Sequence, residues 1–143
     1  MAAAKMGVAE LEKFLREEFP QAFSDGDITI ESADGETCLL RRRYDERMLR
    51  PGGTVSGPTL MAMADFAMYV VLLSAIGPVG LAVTTNLNIN FLRKPGRCDL
   101  TAEARLLKLG KRLAIGEVTI RCDGEEAPVA HATSTYSIPP AQR

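Results

Sequence analysis

The chain has 143 residues, 46% hydrophobic and 24% charged, the length of one domain that can bury about two thirds of its unfolded surface without disulfides or metal. Its net charge of -1 gives no electrostatic case for nucleic acid or an anionic membrane as partner. A single histidine, His131, excludes a multi-histidine zinc site within one chain, and Cys38, Cys98 and Cys122 have no metal-ligand spacing. No metal or other cofactor is implied. The odd cysteine count suits a reducing compartment, where the three would be small buried hydrophobes.

Lys5 is followed by no apolar run of signal-peptide length, so the expected location is the cytoplasm. Residues 7–19 place Val8, Leu11, Leu15 and Phe19 at helical spacing, and Pro20 closes that amphipathic helix. Residues 1–23 therefore read as an N-terminal helix and linker, and 24–143 as a single domain. Asp27–Ala33 alternates as a strand, Asp34-Gly35 is a tight turn, and Glu36–Tyr44 continues as a second strand. Asp45–Val55 reads as a loop feeding directly into Ser56–Gly77, which is apolar on every side except for Asp65.

That stretch reads as a buried helix, with Ser56 able to cap it, Pro58 in its first turn and Gly77-Pro78 ending it. Gly57, Pro58, Met61, Asp65, Met68 and Tyr69 share a stripe, and Asp65 lies about 11 Å beyond the first turn. First-turn N–H groups offer an oxyanion site, and the carboxylate offers a base or nucleophile. Three plainer readings compete: a membrane span, a structural ion pair with one of Arg41, Arg42, Arg43, Arg47 or Arg50, and a polar spot fixing register between packed helices.

Beyond the helix, Leu81–Leu92 alternates, with Leu81, Val83, Thr85, Leu87, Ile89 and Phe91 on one face and Thr84, Asn86, Asn88 and Asn90 on the other. Arg93-Lys94-Pro95-Gly96 turns the chain into a strand over 97–108, and Leu109-Gly110-Lys111-Arg112 is a second basic turn. Leu113–Arg121 and Pro128–Ile138 complete six antiparallel strands. His131, between two alanines, reads as a structural histidine, and Met61, Met63 and Met68 as core or pocket lining. The fold class is α+β, one antiparallel six-stranded sheet wrapped around a long central helix.

The element order, together with Gly53-Thr54-Val55-Ser56-Gly57-Pro58, Leu60 and Ala64-Asp65, resembles the hotdog-fold acyl-CoA thioesterases of the phenylacetate-pathway type over about residues 24–138. The resemblance implies hydrolysis of a small or medium acyl-CoA thioester, with Asp65 as nucleophile or general base and the Gly57 N–H as oxyanion donor. Ser56 stands where the family has histidine and Pro58 where it has a second glycine. Thr84 matches a water-placing hydroxyl that the family supplies from the partner subunit, with Asn86 beside it. Arg50 stands where an asparagine is common, and Arg93, Lys94, Lys111 and Arg112 are the turn residues that would meet coenzyme A phosphates. A homodimer or dimer of dimers is implied, with no nucleic acid and no membrane. The competing function is a non-catalytic acyl-CoA carrier or sensor, which the altered Ser56-Gly57-Pro58 favours.

Overall fold

The computed structural model describes residues 4–23 and 26–140. The boundary expected between 23 and 24 falls at Ser24 and Asp25, outside the described residues. Helix α1 (Val8–Glu18) buries Leu11 and Leu15, the two apolar positions four apart. Strands β1 (Ile28–Ala33) and β2 (Thr37–Arg42) form a hairpin. Its turn is fixed by Asp34, whose Oδ1 accepts from the backbone N–H groups of Glu36 and Thr37 at 2.9 and 2.7 Å. The segment expected as loop contains a 3-10 turn at Glu46–Met48 and a small hairpin of β3 (Leu49–Arg50) and β4 (Thr54–Val55). Two-residue strands are too short to leave an alternating pattern in sequence.

Helix α2 (Gly57–Ile76) follows, and then β5 (Val83–Phe91), β6 (Leu100–Leu109), β7 (Leu113–Cys122) and β8 (Pro128–Ser137). The main sheet is antiparallel throughout, in the order β1-β2-β6-β7-β8-β5. It curls around α2, whose Leu60, Ala64, Ala67, Met68, Val71 and Leu72 are all sealed from solvent. By length and composition α2 could cross a membrane, but most of its apolar stretch is buried within the protein, and it is the core helix of the domain. The inward positions of β6 and β7, among them Leu100, Ala102, Ala104, Val118 and Ile120, form the floor beneath it.

Contact between helix and sheet is close enough to require glycine at one point. A Cβ built on Gly116 of β7 would stand 2.5 Å from Met68 Sδ and 2.9 Å from the Arg105 carbonyl oxygen. The thioether could swing aside, but the backbone oxygen is held in the β6–β7 ladder.

The cysteines depart from expectation. Cys98 and Cys122 form a disulfide that ties the β5–β6 connection to the end of β7, with Cα atoms 5.7 Å apart. Only Cys38 is a free, buried thiol, and burial pushes its pKa up to about 12. The strand register, Leu100 opposite Cys122, is what brings the pair together, and spacing along the chain carries no sign of it.

Gly116→Ala is expected to destabilise the fold by about 1–3 kcal/mol through overpacking. The measurement is the urea midpoint, which should fall with the slope unchanged.

Candidate active site

Ser56 caps α2, its Oγ accepting from the Thr59 N–H at 3.3 Å and lying 2.9 Å from the Thr59 hydroxyl. The Leu60 N–H goes to the Ser56 carbonyl at 3.3 Å, and Pro58 has no N–H to give. Of the first-turn donors, only the Gly57 N–H has no acceptor among the described residues. With Pro58 in the first turn, a single N–H is thus left unpaired at this helix end. The Phe91 ring lies beside it: a Cβ on Gly57 would be in van der Waals contact with that ring at 3.4 Å.

Asp65 lies two turns on, half-buried between helix and sheet. Its Oδ1 accepts from the Thr84 hydroxyl at 2.5 Å and the Tyr136 hydroxyl at 3.0 Å, and Tyr136 also lies 3.2 Å from the Asp65 carbonyl oxygen. Its Oδ2 has no hydrogen-bond partner among the described residues. Hydrogen bonds to a charged group contribute about 1.5–3 kcal/mol each, enough to hold a carboxylate in this position without a counter-ion.

No arginine forms an ion pair with Asp65 among the described residues. Arg41 pairs with Glu31, Asp99 and Asp123, Arg47 pairs with Asp45, and Arg50 is exposed on β3. The structural ion pair weighed from the sequence is therefore not what positions this group.

Thr84 reaches Asp65 because of a bulge. The β5–β8 register shifts between Thr84 and Asn86, so Thr84 pairs with inward Tyr136 while Leu87 pairs with buried Ser134. Strict alternation had put Thr84 on the face opposite Leu87; the extra residue turns both toward the helix. The hydroxyl beside Asp65 also comes from the same chain, whereas the resemblance implied a partner's. Asn86 is left exposed on the other face, with its carbonyl accepting from the Ser134 hydroxyl at 3.2 Å.

Tyr136 was not singled out in the sequence. The signal that could have found it is its place in the inward series Ala130, Ala132, Ser134 and Tyr136, because a buried tyrosine hydroxyl needs a partner. Burial pushes its pKa well above the ordinary phenol value, and the nearby Asp65 charge adds to that rise, so it stays a neutral donor.

The two basic turns lie at opposite ends of the sheet. Phe91 pairs with Ala130 and thence Ile120, so Arg93 and Lys94 sit at that end; Lys111 and Arg112 cap the other, where Thr84 pairs with Tyr136 and Tyr136 with Ala114. A ten-residue strand separates them, about 33 Å, too far for one chain's two turns to hold the same phosphate. Arg93 and Arg112 also donate to the carbonyls of Pro128 and Ile138, at 2.8 and 3.1 Å. His131 faces out, 3.1 Å from Glu117 Oε2, well removed from Asp65.

Asp65, Thr84 and Tyr136 open on a groove of about 1320 Å³ between α2, α1 and residues 78–84, lined by Phe14, Phe19, Met63, Phe66 and Tyr69. Phe19 lies against Phe66 and Tyr69 with ring centroids 6.3 and 6.1 Å apart, and Tyr69 stacks on Tyr136 at 6.1 Å. Met63 faces the groove, Met68 packs on Gly116, and Met61 is exposed. Among the described residues no cluster of His, Cys, Asp or Glu could hold a metal ion. The arrangement combines a carboxylate oxygen with unengaged lone pairs, an apolar trough beside it, and an unpaired N–H at a helix N-terminus: parts suited to acyl transfer to water.

Comparison with known proteins agrees with that chemistry. The sequence profile of the thioesterase superfamily matches residues 52–129. A "putative thioesterase" of Silicibacter sp. TM1040 superposes with TM-score 0.86 at 45% identity, covering 96% of this chain and 94% of that one. A "putative thioesterase, phenylacetic acid degradation-related protein" of Ralstonia eutropha JMP134 superposes with TM-score 0.77 at 26% identity, over 90% and 98%. A "putative esterase" of Saccharolobus solfataricus is 28% identical over 134 residues, 93% of this chain and 86% of its own length. With its six antiparallel strands around one long helix and the profile match over more than half its length, the chain belongs to the thioesterase superfamily and has the hotdog fold.

Proposed function

We propose that the protein hydrolyses a small or medium acyl-CoA thioester to free acid and coenzyme A. The observation that carries this reading is the Asp65 carboxylate, held on Oδ1 by Thr84 and Tyr136 with Oδ2 unengaged, beside an apolar groove. Oδ2 acts in one of two ways. As general base it takes a proton from water while the water oxygen bonds to the thioester carbon. As nucleophile it bonds to that carbon itself, giving an anhydride that water then opens. In both, the carbonyl electrons move to oxygen, the Gly57 N–H stabilises the oxyanion, and collapse expels the coenzyme thiolate, which takes up a proton. Label found in Asp65 after a single turnover in ¹⁸O-water would establish the anhydride route, opened by water at the Asp65 carboxyl carbon.

Gly57 and Asp65 are eight residues apart on one helix, about 12 Å along its axis. A thioester carbon near 3 Å from a nucleophile and its oxygen near 3 Å from a donor cannot span that gap. The Gly57 N–H and the Asp65 carboxylate that act on one substrate therefore come from two copies of the chain. Strand β5 supports this, being the sheet edge beside Thr84, nine residues long and exposing Val83 and Phe91. Two-fold antiparallel pairing of β5 strands sets the Phe91 end of one copy, with its Gly57, beside the Thr84 end of the other. It also brings one copy's Arg93 and Lys94 toward the other's Lys111 and Arg112, where coenzyme phosphates would be met. The functional unit is thus a homodimer, alone or paired into a dimer of dimers, and its location is the cytoplasm, where coenzyme A esters are found.

Asp65→Asn is expected to keep its melting temperature within a few degrees, since both hydroxyls can still donate to the amide oxygen, while thiol release falls by about a thousandfold or more. A variant retaining a tenth of wild-type turnover would remove Asp65 from the mechanism. Tight binding of acyl-CoA with no thiol release by the wild type would favour the carrier or sensor reading. Tyr136→Phe deletes one of the two donors and is expected to cost about 1 kcal/mol or more of stability, measured by urea unfolding, and to lower kcat with KM little changed.

A further inference from the structure

The groove beside Asp65 does not end in apolar side chains. It continues past Thr59 into a second, smaller cavity of about 430 Å³ beneath α1, and the two share Gln21, Ala22, Ile28, Arg42 and Thr59. Arg42, the last residue of β2, stands at this junction. Its Nε is sealed from solvent and has no hydrogen-bond partner, and although Asp45 lies near enough to feel its charge, the side chain makes no close ion pair among the described residues. The neighbouring arginines differ: Arg41 is bound by three carboxylates and Arg47 by Asp45. Glu12 and Asp27 also line the smaller cavity, but neither pairs with Arg42.

Burial of Nε anchors the guanidinium at the junction of the two cavities, and the planar fork in which the side chain ends matches a carboxylate. We propose that Arg42 selects the acyl group: the preferred thioester carries a carboxylate at the far end of its acyl chain, which docks on Arg42. The inference rests on the thioesterase reading of Asp65 and adds the substrate class to it.

Direction along the groove favours the acyl tail over the coenzyme as source of the anion. Arg42 pairs with Leu100, which pairs with Cys122, so it lies at the Phe91 end of the sheet, whereas Asp65 meets Thr84 and Tyr136 near the opposite end. With the carbonyl at Asp65 and the phosphates at the rim by Lys111 and Arg112, the acyl chain is left the run from Asp65 to Thr59, six residues or about 9 Å of helix. Along that run α2 presents Ala62 and Met63 to the groove, and a cation stands at its end, which fits a short chain of methylenes closed by a carboxylate.

The test compares two straight-chain CoA esters of equal length, one ending in methyl and one in carboxylate. Wild-type kcat/KM should favour the carboxylate by about tenfold or more, and Arg42→Met should reverse the order, raising the methyl-ended ester and lowering the other. Arg42→Gln, which keeps polarity without charge, should likewise lose the preference, so the inference does not hang on one variant folding. A wild type that prefers the methyl-ended ester overturns it. So does a loss in Arg42→Met that is equal for both esters and vanishes with coenzyme lacking its 3′-phosphate, which would make the phosphate the anion. Calorimetry with non-hydrolysable thioether analogues of the two esters gives the same tail preference from Kd alone. If neither ester is turned over, the thioesterase reading fails, and that Kd comparison still decides the role of Arg42.

Discussion

A carboxylate placed in the middle of a buried helix constrains everything around it. Asp65 is the one charged residue in twenty of α2, and a charge in that position is tolerated only where hydrogen bonds replace the lost water. The sheet supplies them from two strands that sequence separates by about fifty residues: Thr84 from β5 and Tyr136 from β8. Those two residues face each other in the register, so one cross-strand pair provides both donors. The bulge that follows Thr84 is needed for that pair to face the helix while Leu87 and Ile89 further along still pack inward. The site is thus a product of how β5 joins the sheet, and β5 is its exposed edge.

The same economy appears at the helix N-terminus. Ser56, Pro58 and the Ser56 carbonyl between them dispose of three of the four first-turn positions, and one donor remains at Gly57. A histidine or glycine in those places would leave more N–H groups to share an oxyanion. On the proposed reading that task falls to one donor, with the Phe91 ring packed beside it. The distance between Gly57 and Asp65 then makes, on the same proposed reading, pairing of two copies a requirement of the chemistry.

Much of this was legible in sequence and for identifiable reasons. The all-round apolar stretch with one carboxylate, the Ser56 cap and the alternation of the last strands carried the fold class and the core helix, because each is a local pattern with a physical cause. What was hidden depends on pairing between distant strands. The bulge at Thr84, Tyr136 as the second donor, the Cys98–Cys122 bond and the separation of the two basic turns all follow from register, which alternation along one strand cannot express. Arg42 was hidden differently. In sequence it is one of three consecutive arginines, and only burial of its Nε beside a cavity sets it apart from Arg41 and Arg43.

On the proposed reading, one substrate is served by Gly57 of one copy and Asp65 of another. Mixing two inactive variants, Asp65→Asn and a Gly57→Val whose side chain would meet Phe91, measures it directly once subunits have exchanged. If the site is shared, half the dimers are mixed and each mixed dimer has one intact site, so thiol release should recover to about a quarter of the wild-type rate. Mixed dimers, verified by native mass spectrometry, that stay as inactive as the parents would contradict the account.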